Sequence, residues 1–203
     1  MRNQKNPDID SIRSTRRIIN FSDGVFAVAI TLLVVQLPIP VNAPNRELGA
    51  DLSANLPMLI SYGISFGVIA LYWLKHLSFN NHVKRYSVGL IWLNFLYLLV
   101  IAFLPFPTAV YGTHFSDEVA QMLYAGTVGA AGYIAALMWV WTLRKPELLH
   151  KGIDLDEVRH SFYVSTIMPT GFAVSIPVSL LYPPVVPYIW LAFAVFSPFL
   201  RKL

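Results

Sequence analysis

The chain carries one carboxylate at the start of its first long apolar segment. Asp23 follows Ser22, and the chain from there to Leu37 contains no other charged residue. Ionisable groups in such segments are costly, and they usually face a protein interior or a water-filled path. A carboxylate in this position can attract a cation, bind a proton or accept hydrogen bonds from neighbouring helices. The first apolar segment is therefore the first place to search for function.

A second polar pair ends the next apolar segment. Trp73 and His76 are three residues apart and share one face of a helix. If the first two segments run antiparallel, this pair reaches the depth of Asp23. Arg17 lies about 240° around the helix from Asp23, so we do not expect these two side chains to pair. We expect hydrogen bonds between this pair and Asp23 or Ser22. The pattern favours a structural clamp and leaves a cation-attracting vestibule or a proton-sensitive latch as alternatives.

The apolar part of the first segment has one coherent face. At about 100° per residue, five side chains fall within roughly 100° of one another: Gly24, Val28, Thr31, Leu32 and Val35. Such a face packs against another helix, or it lines a pore in which Val28, Leu32 and Val35 narrow the path. A hydrophobic constriction can gate ion flow by dewetting. Periodicity alone does not separate the two interpretations.

The composition is that of a membrane protein. Of the 203 residues, 56% are hydrophobic and only 13% are charged, which is too little charge for the surface of a soluble domain. The absence of Cys excludes disulfides and thiol catalysis. No spacing of His, Glu or Ser matches a metal site or a hydrolase motif, and the Lys and Arg residues are scattered between apolar segments. We therefore expect no enzyme activity, metal, cofactor or nucleic-acid partner.

Six apolar segments approach the length of about 20 residues that crosses a bilayer. We therefore predict an all-α membrane protein in which residues 1–203 form one domain, with spans at about 18–37, 54–74, 86–104, 119–143, 162–181 and 185–200. In this arrangement, every one of the 15 Lys and Arg residues except Arg46 falls on one side of the membrane. By the positive-inside rule, that side is cytoplasmic and contains both termini.

Two further patterns allow alternative interpretations. The Thr-Val-Gly run at 127–129 resembles part of a potassium-channel filter loop. Its position inside the fourth segment instead favours small residues that allow close helix contact, together with Gly126 and Gly132.

Pro169 and Pro177 interrupt the fifth segment. A broken helix can mark a transporter binding site, although a simple kink is the more common outcome.

The N-terminal pattern resembles the signature of the transmembrane protein 175 family. The resemblance depends mainly on Arg-x-x-x-Phe-Ser-Asp at 17–23 and the apolar run that follows it. Two supporting stretches are Trp-x-x-His at 73–76 and Phe-Leu-Pro-Phe-Pro-Thr at 103–108. The resemblance covers essentially the whole chain, including the count of six spans.

This resemblance implies a potassium channel of the bacterial type, in which four copies surround a central pore lined by the first helix and no filter loop is present. By motif position, it assigns the pore constriction to Val28, Leu32 and Val35, with Thr31 and Gly24 on the flank. It also implies a structural network at the cytoplasmic end, formed by Arg17, Phe21, Ser22, Asp23, Trp73 and His76.

We therefore expect a multi-pass subunit of a cell-membrane channel that conducts potassium, and other monovalent cations to an extent that the sequence does not define. Its expected partners are further copies of itself and the lipid bilayer. Two other functions stay open from the residues alone. One is a secondary transporter that uses the broken fifth helix, and the other is a membrane assembly protein that transports nothing.

Overall fold

The computed structural model describes the backbone of residues 7–38 and 48–196 and the side chains of residues 14–38, 48–190 and 192. Its regular elements in these ranges are helices. In chain order they are α1 (Pro7–Val35), α2 (Leu48–Ala54), α3 (Leu56–His82), α4 (Val88–Phe103), α5 (Pro105–Thr113), α6 (Glu118–Arg144), α7 (Leu155–Leu181) and α8 (Val186–Phe196), with short 3-10 turns at Pro146–Leu148 and Pro183–Val185.

Five helical stretches in the described ranges are long and apolar enough to cross a membrane. They are Ser14–Val35, Leu56–His82, Val88–Thr113, Glu118–Arg144 and Leu155–Leu181. The prediction of an all-α membrane protein is therefore confirmed. The sixth predicted segment is represented by α8, Val186–Phe196, and its remaining residues 197–200 lie outside the described residues.

The helix ends follow local sequence signals. The side chain of Asp117 caps α6 by accepting a hydrogen bond of 2.9 Å from the backbone N–H of Ala120. The predicted start of the fourth segment is therefore confirmed. At its other end, α1 stops at Val35, shortly before Pro38. The second segment is longer than predicted, since α3 continues for two further turns to His82.

The sequence predicted that the third segment ends at Leu104, and this prediction is wrong. Leu104 has helical backbone angles, and α5 begins at Pro105. A proline in the first turn of a helix removes only an N–H that has no partner within the helix. The chain therefore continues from α4 into α5, and Val88–Thr113 together form one candidate span.

The sequence left a broken helix and a simple kink as alternatives for the fifth segment, and the prolines of α7 do not break that helix. Pro169 and Pro177 both lie inside the continuous helix Leu155–Leu181. Pro169 packs against α6 at Gly132, where an added Cβ would come within 2.6 Å of the proline ring. Gly129 also faces α7, but an added Cβ at Gly126 would meet nothing within 4 Å. Close helix contact therefore explains Gly129 and Gly132 and not Gly126.

The loops at one end of the bundle are tied together. An isolated antiparallel bridge joins Val83 to Leu149. The backbone N–H of Lys84 donates to the carbonyl of Leu148 at 2.8 Å, and that of His150 donates to the carbonyl of His82 at 3.0 Å. These bonds connect the end of α3 and the α3–α4 loop to the α6–α7 loop.

Candidate functional site

The first helix has one buried face and one exposed face. Ser22, Phe26, Ala29 and Leu33 are each no more than 1% exposed. They face α3, α4 and α5, against which α1 packs. The described residues of one chain thus supply partners for one side of α1.

The exposed face is the one that the sequence singled out. Val28, Leu32 and Val35 are 56%, 44% and 76% exposed. Gly24 and Thr31 are also exposed, and the Thr31 hydroxyl donates to the Val28 carbonyl at 2.9 Å. A shallow groove of about 450 Å³ follows this face, with Ala102 on its opposite wall. The face therefore presents apolar side chains, while its one hydroxyl is bound to its own helix.

One of the hydrogen bonds expected between the first two spans joins α1 to α3. The indole Nε1–H of Trp73 donates a hydrogen bond of 3.0 Å to Oδ1 of Asp23. This contact was expected from the helix spacing, and it joins two residues separated by 50 positions in the chain. The carboxylate is therefore held by a neighbouring helix, which is how a costly polar group in an apolar segment is usually satisfied.

A longer buried chain of hydrogen bonds begins at Ser22. The amide of Asn94 on α4 donates to the Ser22 hydroxyl at 3.0 Å, and its carbonyl lies 2.8 Å from Nε2 of His76 on α3. Because that carbonyl oxygen can only accept, Nε2 of His76 carries the proton in this contact. The Ser22 hydroxyl in turn donates to the carbonyl of Ile18 at 2.9 Å. Asn94 therefore joins α1, α3 and α4 at one point.

The chain continues toward the end of α3. Nδ1 of His76 lies 3.2 Å from the amide nitrogen of Asn80, which donates to it. The hydroxyl of Tyr86, in the α3–α4 loop, donates to the carbonyl oxygen of Asn80 at 2.6 Å. Burial raises the pKa of the Tyr86 hydroxyl above its ordinary value, so it stays a donor at physiological pH. The ring of His76 is also stacked on Tyr97 at 5.5 Å.

The predicted network is brought together only in part. Ser22, Asp23, Trp73 and His76 take part in the bonds above. Phe21 is 55% exposed and makes an edge-to-face contact with Phe95 at 5.9 Å. Arg17 is exposed, and the hydrogen-bonded chain among the described residues does not include it.

Three members of this chain were not predicted to belong to it: Asn80, Asn94 and Tyr86. Asn94 is a strongly polar residue deep in the third predicted segment, but residue type alone does not separate a hydrogen bond between helices from a substrate contact. Asn80 lies one turn beyond His76 on the same face of α3, and that spacing could have found it. Tyr86 depends on the path of a loop, which no periodicity encodes.

Comparison with known proteins decides the family. A sequence profile described as "Endosomal/lysosomal potassium channel TMEM175" matches residues 17–105, which contain α1 from Arg17 onward and all of α2, α3 and α4. A protein of Streptomyces collinus named a potassium channel is 32% identical over 147 residues, covering 70% of this chain and 71% of that protein. The chain belongs to the TMEM175 family.

The fold agrees with this assignment. The crystal structure of a lysosomal potassium-selective channel TMEM175 homolog from Chamaesiphon minutus superimposes with a TM-score of 0.83, at 25% identity, over 94% of this chain and all of that one. The human endosomal/lysosomal proton channel TMEM175 is 30% identical over 160 residues, covering 73% of this chain and 31% of that protein. These relatives are ion channels rather than enzymes, so this TMEM175 chain is a member of a channel family.

The alternative sites of this TMEM175 chain find no support in the geometry. The run at 127–129 lies within α6, where the carbonyl of Val128 accepts a hydrogen bond of 2.6 Å from the Tyr72 hydroxyl. These carbonyls therefore belong to a packed helix and not to a filter loop. The transporter interpretation used an interrupted fifth helix, and α7 is continuous. Within the part of the chain that the structure describes, no three His, Asp or Glu side chains are grouped as metal ligands.

Proposed function

We propose that this chain is one subunit of a homotetrameric potassium channel of the cell membrane, with α1 lining the central pore. The observation that carries the proposal is the exposed face of α1, formed by Gly24, Val28, Thr31, Leu32 and Val35. The residues that the structure describes leave this face exposed, and one chain contributes one α1 helix. When four copies are arranged around one axis, the four α1 helices line a central ion path with this face.

The same proposal includes six spans and cytoplasmic termini. We take α8 with the residues that follow it as the sixth span, which returns the C-terminus to the side of the N-terminus. The distribution of Lys and Arg, all but Arg46 on one side in this topology, supports a cytoplasmic location for that side. The ends of α3 and α4 that carry the hydrogen-bonded chain then lie toward the cytoplasm.

In this channel, the constriction is an apolar ring. Val28, Leu32 and Val35 recur on the exposed face of α1 at helical spacing, so four copies form successive rings of aliphatic side chains. Such a ring repels water when it is narrow, and an ion crosses it only by giving up part of its hydration. Because the cost of desolvation falls as ionic radius grows, potassium crosses more cheaply than sodium.

The hydrogen-bonded chain has a structural role in this proposal. It fixes α1 to α3 and α4 through Asp23 and Ser22 on the side of α1 that faces away from the ring. The face with Leu32 is thereby held toward the pore axis. The four grouped residues that take part in these bonds, Ser22, Asp23, Trp73 and His76, would then act on conduction indirectly, through the orientation of α1.

Proton conduction is a second candidate, favoured by the name of the human relative. The exposed face of α1 between Gly24 and Val35 contains no titratable side chain, so protons would cross it only along transient water. Potassium is favoured here because the Streptomyces and Chamaesiphon relatives are named for that ion. A pH-sensitive dye inside liposomes separates the two: proton entry without potassium flux would replace the first candidate.

The test of the proposal is a flux assay combined with a mass measurement on one sample. The oligomer mass of the detergent-purified protein is determined first. The same protein is then reconstituted into liposomes loaded with potassium. The proposal predicts a tetramer and a potassium efflux that is passive and needs no counter-transported ion. Silent liposomes that contain a correctly assembled tetramer would favour an assembly protein, and steeply saturating flux that requires a second ion would favour a transporter.

A further inference from the structure

Two apolar seams run along the outside of the subunit, one on α3 and one on α4. The α3 seam repeats at alternating intervals of four and three residues and consists of Leu59, Gly63, Phe66, Ala70, Trp73 and Leu77. The α4 seam repeats in the same way, continues into the start of α5, and consists of Val88, Trp92, Phe95, Leu99, Ala102 and Phe106. This spacing is the heptad repeat with which helices pack side-chain knobs into holes.

The described residues of the chain cover neither seam. The large side chains of the α3 seam are 36–44% exposed, and those of the α4 seam are 42–72% exposed. Gly63 and Ala102 are exposed as well, and Ala70 is half-buried. A Cβ added at Gly63 would meet nothing within 4 Å. Both seams are therefore accessible to a helix of another molecule.

The two seams lie on opposite sides of α1. On one side, Trp73 of the α3 seam donates its hydrogen bond to Asp23. On the other side, Phe95 of the α4 seam contacts Phe21, with 5.9 Å between the ring centroids. Asp23 and Phe21 are about 160° apart around α1, and the exposed face that starts at Gly24 lies between them. Each seam is thus continuous with one edge of that face.

A ring of four copies with α1 at its axis brings the α3 seam of one copy to the α4 seam of the next. Rotation about a single axis joins two different surfaces, so each subunit of a ring needs complementary patches on its two sides. All copies cross the membrane in the same direction, while α3 and α4 are successive spans of opposite direction. The two seams therefore meet as antiparallel helices.

Contacts within one chain show which levels of the two helices coincide. Nε2 of His76 on α3 lies 2.8 Å from the side-chain carbonyl of Asn94 on α4. Near the other end, a Cβ added at Gly112 of α5 would come within 3.2 Å of the Cα of Met58 on α3. Because every copy sits at the same depth in the membrane, these levels also hold between neighbouring copies.

At these levels, the small residues of each seam lie opposite large residues of the other. The seam residues that share a level, to within about one helical turn, are Gly63 with Phe106, Phe66 with Ala102, Ala70 with Leu99, Trp73 with Phe95, and Leu77 with Trp92. Small residues in membrane helices allow a partner to approach closely, and large residues opposite them fill the space.

We propose that the α3 seam of one subunit packs against the α4 seam of the next, with Phe106 of one copy entering the space beside Gly63 of its neighbour. This interface rests on the homotetramer proposed above and adds the surfaces that close its ring. The partner is a second copy of the chain, held by apolar packing between antiparallel helices.

The first experiment forms disulfides between subunits, because the chain contains no Cys of its own. The test variant combines Ala70→Cys with Leu99→Cys, and the oxidised tetramer is run on a non-reducing gel. The matched control combines Leu137→Cys with Val174→Cys, two exposed positions on α6 and α7. We expect a ladder of dimer, trimer and tetramer for the test variant and monomer for the control. Each single-Cys variant of the test pair should also give monomer, since the two seams are different surfaces.

A second experiment tests the contact between Gly63 and Phe106 by size. Gly63→Leu fills the space that Phe106 would enter, and it should lower the yield of tetramer about fivefold or more. Leucine has the higher helix propensity, so folding of one subunit should be preserved. Gly126→Leu, at another glycine whose added Cβ would meet nothing within 4 Å, is the control and should keep the wild-type yield. Phe106→Ala added to Gly63→Leu should restore part of the yield.

Substitutions in the seams should act on assembly more than on the unfolding of one subunit, because no seam side chain is buried within one chain. Oxidised dimers from either single-Cys variant would overturn the interface, since they require two identical surfaces in contact. A ladder of equal strength in the control pair would also overturn it.

An assembled, potassium-conducting tetramer that gives no ladder with this pair, or with Phe66→Cys and Ala102→Cys, would assign both seams to lipid. The interface would then fail while the proposed channel function stands. Absence of a tetramer from the unmodified chain would instead overturn both, so the two failures are distinguishable.

Discussion

The indole N–H of Trp73 on α3 donates a hydrogen bond of 3.0 Å to the Asp23 carboxylate on α1. The apolar ring face begins at Gly24, the next residue of α1. The Asp23 contact with α3 and the face proposed to line the pore therefore belong to the same helix, and they are adjacent in sequence. Asp23 holds α1 from the side of α3, while Val28 and Leu32 stay exposed.

Loss of the anchor should affect assembly before it affects permeation. We expect Asp23→Ala to lower the yield of tetramer and to destabilise the protein by about 1 kcal/mol, since the bond is exposed and partly screened. Trp73→Phe should have a similar effect, and the double variant should be no worse than either single one. Size-exclusion chromatography in detergent measures the yield of tetramer, and thermal unfolding in detergent measures the loss of stability. A stable tetramer with altered ion affinity would instead make Asp23 an ion site.

The buried amide of Asn94 should matter more than the exposed anchor. Asn94→Leu removes the donor to Ser22 and leaves the buried N–H of His76 without its acceptor. Two lost bonds and one unsatisfied donor should cost about 2–4 kcal/mol, seen as a lower unfolding temperature. Leu99→Ala on the same helix is the control, because Leu99 is 66% exposed and should change stability little. Equal shifts in the two variants would contradict a central role for Asn94.

The α6–α7 contact allows a paired test with two glycines of one helix. An added Cβ at Gly132 would come within 2.6 Å of Pro169 and 2.8 Å of the Tyr72 hydroxyl, whereas one at Gly126 meets nothing within 4 Å. Gly132→Ala should therefore destabilise the protein by about 1–3 kcal/mol. Gly126→Ala should be neutral or stabilising by up to about 1 kcal/mol. Chemical unfolding in detergent measures both, and the opposite order would refute this packing.

The apolar ring predicts the outcome of polar substitutions on α1. Leu32→Asn or Val28→Asn should wet the ring, which raises single-channel conductance or lowers selectivity for potassium over sodium. Val34→Asn is the matched control, since Val34 is also exposed at 52% but lies about 100° around the helix from Val35. Single-channel recordings in planar bilayers report both quantities. Unchanged currents in both ring variants would place the constriction elsewhere.

The sequence predicted the elements better than their ends. Apolar length alone located the five candidate spans of the described residues, because the bilayer requires that length. Prolines were the positions whose effect the sequence could not decide. Pro105 begins a helix that continues the third span, and Pro169 sits inside α7 against Gly132. Whether a proline ends a helix depends on the helix packed beside it, which the local sequence does not contain.

The polar site was predictable where helical spacing determines it. Depth and periodicity predicted a hydrogen bond from Trp73 or His76 to Asp23 or Ser22, and the structure contains the bond between Trp73 and Asp23. Asn94 could not be assigned to Ser22 and His76 because its partners depend on how three helices pack. The exposed face of α1 was also predictable, but its role depends on neighbouring copies of the chain and stays a proposal.

The central claim is that four copies of α1 form a passive, potassium-preferring pore. The most direct measurement is the reversal potential of the reconstituted tetramer with potassium chloride on one side of the bilayer and sodium chloride on the other. The proposal predicts a reversal potential displaced toward that of potassium, and a smaller displacement for Leu32→Asn. A reversal potential at zero for the wild-type tetramer, or no current at all, would contradict it.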